Sequence, residues 1–269
     1  MSDAARLEYR NVTMRFSDAA GKSLIAVSGV SLSVRDREVV SLIGPSGCGK
    51  STLLNIGSGL YDPSEGEAFV DGARVQGPNA HVAIMLQKDL LLPWRTIAEN
   101  VMFGQEIQRV PVAQREQRAQ TLLENLNLAE FSKSYPHQLS GGMRQRVALA
   151  RTLAVDPSVL LLDEPFSAVD AQTRMVLQRE LAQTLKSAGK TALLITHDLL
   201  EAVTLSDRVL VMSKRPGRII DDMRIDLPNR DNPLARRNDA RINDYVIRLM
   251  ERLDISPAQI DQSARGLRG

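Results

Sequence analysis

A chain of 269 residues, 43% hydrophobic and 25% charged, fits one large globular domain, or one domain carrying a helical insertion. A net charge of +2 is far too small to argue for nucleic acid as the main partner, and one cysteine excludes an internal disulfide framework, which suits a reducing cytosol. Met1 to Arg6 lacks the apolar core of a signal peptide, and no stretch reaches the ~18 apolar residues of a membrane span, so action at a membrane calls for another polypeptide to cross it.

The opening third reads as strands. Leu7 to Val12 and Ile25 to Val34 alternate or run β-branched, and Val39 to Ile43 is an apolar run of the kind buried on both faces. Lys50 to Leu60 follows as a helix ended by Tyr61-Asp62-Pro63, and Glu67 to Val70 before Asp71-Gly72 as a short strand and turn. His81 to Gln87 is another strand, with Val82, Ile84 and Leu86 on one face. From about Thr96 to Leu128 the pattern turns helical and polar, and Leu122, Leu123 and Leu126 form the apolar stripe of a helix over Val112 to Leu126. Val159 to Leu162 is the next buried strand. Helix Ala171 to Ser187, strand Thr191 to Thr196, helix Asp198 to Leu205 and strand Arg208 to Met212 then alternate, which predicts a parallel sheet covered on both faces. A last helix over Leu234 to Leu253 is expected as a C-terminal appendix, its charges (Arg236, Arg237, Asp239, Arg241, Asp244) forming a solvated face.

Gly44-Pro45-Ser46-Gly47-Cys48-Gly49-Lys50-Ser51 fits the phosphate-cradling pattern G-x-x-x-x-G-K-[ST]. Its placement matters as much as the string, because an apolar strand leads in and Lys50-Ser51-Thr52-Leu53-Leu54 opens a helix. Backbone N–H groups of the loop and helix N-terminus then point at the β- and γ-phosphates, Lys50 adds a point charge, and Ser51 offers a hydroxyl to Mg²⁺. Leu160-Leu161-Leu162-Asp163-Glu164, an apolar run ending in two acids, supplies the second half of a nucleotide triphosphatase site. The strand carries Asp163 to Mg²⁺, directly or through a water. Glu164, at the sheet edge where open α/β folds bind ligands, is suited to polarise an attacking water as general base. Between them, Leu139-Ser140-Gly141-Gly142-Met143-Arg144-Gln145-Arg146 places Ser140 as a helix N-cap, with Gly141 and Gly142 leaving N–H groups open to an anion.

Together these three motifs resemble the nucleotide-binding subunit of an ATP-binding cassette (ABC) transporter, over nearly the whole chain. The resemblance implies an α/β fold of the P-loop NTPase (ABC ATPase) class. Its mixed or parallel sheet core carries an N-terminal antiparallel β subdomain and an inserted α-helical subdomain. The ATP-binding domain is expected over 7–228, the helical insertion over about 92–155 and a C-terminal extension over 229–269. By resemblance, Gln87 touches Mg²⁺ or the attacking water, Ser167-Ala168-Val169-Asp170 is the loop that crosses between two cassettes, His197 contacts the γ-phosphate, and Phe16 stacks on adenine. The glycine loop with Thr52 binds ATP in cis. Ser140, Gly141 and Gly142 close in trans on the nucleotide of a second copy, making a homodimer. Met143 departs from the glutamine many cassettes carry after the two glycines, which removes one polar contact.

Phe16 and His197 each have a core alternative, and Trp94 is either a plug in its own domain or a wall contacting the permease. The stretch Leu90 to Val101, containing Pro93-Trp94, follows Gln87 where cassettes meet their permease. With the turn Arg215-Pro216-Gly217-Arg218 it looks like the nitrate/sulfonate/taurine importer branch. The resemblance thus implies an ATPase at the cytoplasmic face of the inner membrane. Its partners are separate permease subunits and, indirectly, an extracytoplasmic solute-binding protein. An exporter or lipoprotein-extraction subunit is the nearest alternative, and a soluble non-transport cassette a further one. The turn at Arg215 offers no physical reason to read substrate.

Overall fold

The computed structural model describes residues 4–17, 23–167 and 169–255. Expectations that fall on Met1 to Asp3, on Ala168 of the crossing loop and on 256–269 of the C-terminal extension lie outside the described residues.

Two sheets meet over a shared core. β1 (Ala5–Ser17) and β2 (Ser23–Arg35) form a long antiparallel pair, whose register slips at several points between Ala5 and Arg15. β3 (Val39–Ile43) is buried throughout and enters the central sheet, and α1 (Lys50–Gly57) follows the glycine loop. β4 (Glu65–Val70) and β5 (Ala73–Arg74) return to the first sheet, giving the order β2-β1-β4-β5. The buried Tyr9 hydroxyl fastens this sheet to α1 by donating to the Leu53 carbonyl at 2.8 Å. Burial raises the Tyr9 phenol above its ordinary range.

β6 (Val82–Met85) is the outer strand of the central sheet. It ends earlier than its apolar alternation suggests, because pairing with the next strand stops at Met85 opposite Leu162. Gln87 therefore leaves the ladder. A helical layer follows: α2 (Ile97–Ile107), α3 (Val112–Asn125) and α4 (Gly141–Ala154). Leu122, Leu123 and Leu126 are buried in the core cluster that also holds Val147 and Leu153 of α4. The capping box at the start of α2 is complete, with Thr96 accepting from Glu99 N–H and the Glu99 carboxylate accepting from Thr96 N–H.

The remainder alternates as the sequence predicts: β7 (Val159–Asp163), α5 (Ala171–Ser187), β8 (Thr191–Ile195), α6 (Leu199–Leu205) and β9 (Arg208–Met212). β10 (Ile219–Arg224) adds an antiparallel edge strand that the sequence pattern does not announce. The central sheet runs β10-β9-β3-β8-β7-β6, with β9, β3, β8, β7 and β6 parallel. Parallel strands buried on both faces need unbroken apolar runs, which β7 and β8 supply. Among the described residues no helix is long and apolar enough to cross a membrane.

The C-terminal appendix differs from its expectation. It is two helices, α7 (Pro233–Arg237) and α8 (Ile242–Arg252), broken where the Asp239 carboxylate accepts from Arg241 N–H at 3.0 Å. Arg236 is not on a solvated face. It is 3% exposed, and its guanidinium donates to the carbonyls of Pro228, Leu227, Val203, Thr204 and Ser206. Those groups include orphan carbonyls at the C-terminus of α6, so a sequence-distant cation caps that helix. Arg236→Ala, which strands these carbonyls, is expected to lower the urea-unfolding free energy by about 2–3 kcal/mol. Arg241→Ala should leave it nearly unchanged; equal losses in the two variants would contradict the cap.

Candidate active site

The glycine loop leaves β3 at Ile43 and wraps toward α1. Gly49 stands at the helix N-cap with φ 102°, and a Cβ there would strike the Val27 side chain, so only glycine fits. No side chain caps α1, and its first turn carries no acid, which leaves its leading N–H groups available to an anion. Lys50 is buried and donates to the Gly44 carbonyl at 2.7 Å and the Pro45 carbonyl at 3.1 Å, so its ammonium lies folded along the loop. Cys48 is buried, with its thiol 4.0 Å from the Lys50 ammonium.

This loop forms one wall of a cleft of about 350 Å³. Ser46, Gly47, Gly49, Lys50, Ser51 and Thr52 line it together with Glu164, and Phe16, Leu24 and Ala26 give the lining its apolar part. Phe16 is not core. It is 36% exposed and meets Tyr61 edge-on, with centroids 5.9 Å apart.

Three neighbouring parallel strands deliver the remaining groups. Asp163 ends β7. Burial pushes its carboxyl above the usual carboxylate range and the Glu164 charge adds to this, while a hydrogen bond with Ser51 and the Lys50 charge pull it down. A part-desolvated carboxylate joined to a hydroxyl is an oxygen donor set that suits a hard divalent cation. Glu164 follows in a left-handed conformation, φ 46°, which is strained for a residue with a Cβ. Its N–H still donates to Ile195 O at 2.9 Å, so the β8 ladder holds it there. The Glu164 carboxylate accepts from the Gln87 amide at 3.0 Å, and the same oxygen lies 3.4 Å from His197 Nδ1. Gln87, Glu164 and His197, far apart in sequence, thus meet at one carboxylate oxygen.

Ser140 caps α4, accepting from Met143 N–H at 3.3 Å. Ser140, Gly141 and Gly142 are absent from the described lining of the glycine-loop cleft. Gly141 instead lines a second groove with Gln87 and Ser167. Gly142 lets α4 approach α5, since a Cβ there would strike Thr173. Asp170, in the loop before α5, caps that helix by accepting from Gln172 and Thr173 N–H.

Several positioning residues were invisible to sequence reasoning. Asn100, fully buried on α2, accepts from Leu92 N–H at 2.7 Å and donates to the carbonyls of Leu92, Arg95 and Thr96. It clamps the loop that displays Trp94, which is 71% exposed and so not a plug in its own domain. Arg144 and Arg151 of α4 bind the Asp89 carboxylate and the Asp89 and Leu90 carbonyls, tying this helix to the segment after Gln87. No local pattern marks Arg144 or Arg151, whose partners at Asp89 and Leu90 lie 55 to 62 residues away; Asn100 bonds groups only four to eight residues before it, in the loop that leads into its own helix.

Residues 27–167 match the ABC transporter family. The chain is 46% identical over 222 residues, 82% of its own length and 83% of the relative's, to the ABC transporter ATP-binding protein MJ0412 of Methanocaldococcus jannaschii. It is 42% identical over 253 residues to the taurine import ATP-binding protein TauB of Burkholderia pseudomallei, covering 93% of this chain and 97% of that protein. Among solved structures it is similar to the dimeric post-hydrolysis state of the ATP-binding cassette MJ0796 bound to ADP and Pi. That likeness has a TM-score of 0.73 at 30% identity and covers 81% of this chain and 98% of that one. The chain belongs to the ABC transporter family as an ATP-binding subunit, an ATPase whose hydrolysis is coupled to transport. Within that family it resembles the taurine/nitrate/sulfonate importer branch.

The helix after His197 carries a buried acid. Burial pushes the Glu201 carboxyl to about 7, the Asp198 charge pushes the same way, and hydrogen bonds from Thr196 and Gln178 oppose it. Because the folded pKa lies above that of the unfolded chain, stability falls as pH rises toward 7 and levels off beyond it. Glu201→Gln removes this penalty. Its urea midpoint is expected to exceed wild type at pH 8 and to approach it at pH 5; a pH-independent difference would contradict the burial argument.

Proposed function

We propose that this chain is the ATP-hydrolysing subunit of a bacterial ABC importer, energising uptake of a small anionic solute through separate permease subunits. The observation that carries the catalytic part is the meeting of Gln87 and His197 on the Glu164 carboxylate beside the glycine loop. Phe16 stacks on adenine. The loop from Gly44 to Gly49 and the α1 N-terminus cradle the phosphates through backbone N–H groups, with Ser46, Lys50 and Thr52 beside them. Pro45 has no N–H to give and instead offers its carbonyl to Lys50.

Ser51, Asp163 and Gln87 would hold Mg²⁺, which when bound neutralises charge on the β- and γ-phosphate oxygens. Glu164 takes the proton of the attacking water, oriented by Gln87, and His197 hydrogen-bonds the γ-phosphate. Ser140, Gly141 and Gly142 serve the nucleotide of a second copy, which agrees with their absence from the described lining of their own cleft. One loop covers only part of a triphosphate, and a second helix N-terminus completes the anion cage. Two ATP molecules then join two chains, and hydrolysis removes the γ-phosphate contacts that favour the closed dimer.

The domain limits that follow are 7–228 for the ATP-binding domain, about 92–155 for the helical insertion and 229–269 for the extension. The chain sits on the cytoplasmic face of the membrane, with Trp94 in the permease contact and an extracytoplasmic solute-binding protein as indirect partner. Nitrate, sulfonate and taurine are the candidate solutes, supported by the similarity to proteins named for taurine import.

Glu164→Gln is expected to slow ATP hydrolysis by roughly 10²–10⁴-fold. Gel filtration with Mg·ATP should show it as a stable dimer; turnover near wild type removes the base assignment. Trp94→Ala should weaken co-purification with the permease and leave the ATPase activity of the isolated chain intact, whereas undiminished assembly would contradict its placement in the contact.

A further inference from the structure

The turn between β9 and β10 lies against the phosphate loop. Gly217 N–H donates to Ala26 O at 2.9 Å, and its carbonyl accepts from Ser28 N–H at 3.0 Å, which fastens the turn to β2. A Cβ at Gly217 would strike the Cys48 carbonyl, so the turn packs flush on the glycine loop. Ser213 braces it from within, accepting from Arg218 N–H at 3.0 Å and donating to the Lys214 carbonyl at 2.9 Å.

Arg215, on this turn, lines the same cleft as Ser46, Lys50 and Glu164. Its Nε donates to the Gly47 carbonyl at 2.8 Å, and the face of Gly47 that a Cβ would occupy lies 3.0 Å from an outer nitrogen of the guanidinium. Among the described residues no carboxylate pairs with it, in contrast to Arg208, which is shared between Glu38 and Asp222. A guanidinium has five N–H donors in a rigid fork suited to phosphate oxygens. Here one donor is spent on the loop and the cation is held at the cleft with no ion-pair partner among the described residues.

We propose that Arg215 is a nucleotide-binding residue, its guanidinium braced by the Gly47 carbonyl and hydrogen-bonding phosphate oxygens of the ATP held by the same chain. This rests on the reading of the cleft as the ATP site. It adds a second cation to the phosphate cage, braced on the Gly47 carbonyl where Lys50 rests on those of Gly44 and Pro45, and it gives the Arg215-Pro216-Gly217-Arg218 turn a role in holding nucleotide. The turn is preorganised by its bonds to β2, so little side-chain ordering opposes the contact.

The test is fluorescence titration of the full chain with mant-adenosine, mant-ADP and mant-ATP in Mg²⁺, for wild type, Arg215→Ala and Arg215→Lys. Arg215→Ala is expected to weaken mant-ADP and mant-ATP roughly 5- to 30-fold and to leave mant-adenosine unchanged. Arg215→Lys should recover part of the loss, and KM for ATP should rise by more than kcat falls. Raising salt should narrow the gap between wild type and Arg215→Ala. Equal ATP affinity in wild type and Arg215→Ala overturns the proposal. So does an equal loss for mant-adenosine, which would mark a collapsed cleft. Failure of wild type itself to bind mant-ATP overturns the reading of the cleft and this proposal with it.

Discussion

The Glu164 carboxylate, placed where β6, β7 and β8 end side by side, organises everything around it. Its backbone is strained, with φ 46°, and that geometry persists because its N–H is held by Ile195 O while the chain turns into Pro165 and Phe166, both buried. The strain aims the side chain at the sheet edge, where Gln87 and His197 reach it from the two flanking strands. A change in strand order would separate these three residues. The packing of the largely apolar strands therefore sets the geometry of this cluster as directly as its polar residues do.

The same edge is joined to the helical layer. Gln145 of α4 donates to the Pro165 carbonyl, immediately after Glu164, and Arg144 pairs with Asp89, two residues beyond Gln87. The helix capped by Ser140 is thus held to both sides of the carboxylate. Asn100 fixes the Trp94 loop to α2, which packs in the same core cluster as α4. Hydrogen bonds and packed side chains thus link the Glu164 edge to the loop of the exposed tryptophan.

Much of this was legible in the sequence for physical reasons. Strands buried on both faces cannot carry polar residues freely, so Val159 to Leu162 and Thr191 to Ile195 announce themselves, and α5 has the bounds its pattern predicts. The glycine loop and the Asp163-Glu164 pair are local chemistry and read locally. What was not legible depends on distant partners. Arg236 looks like one charge in a solvated run, yet it is buried because the carbonyls that need it come from α6 and from residues 227–228. The end of β6 at Met85, the antiparallel β10 and the seating of Arg215 against Gly47 are likewise set by pairing and packing, which no local periodicity records.

In the proposed cycle, nucleotide joins the glycine loop of one copy to the capped helix of another. Disulfide trapping reads this junction: cysteines replace Ser46 and Ser140, both exposed here, in a chain whose Cys48 is changed to Ser. A covalent dimer is expected on a non-reducing gel with Mg²⁺ and a non-hydrolysable ATP analogue, and monomer without nucleotide. Cross-linking that is absent with bound nucleotide, or equally strong without it, would rule out a nucleotide-joined pair.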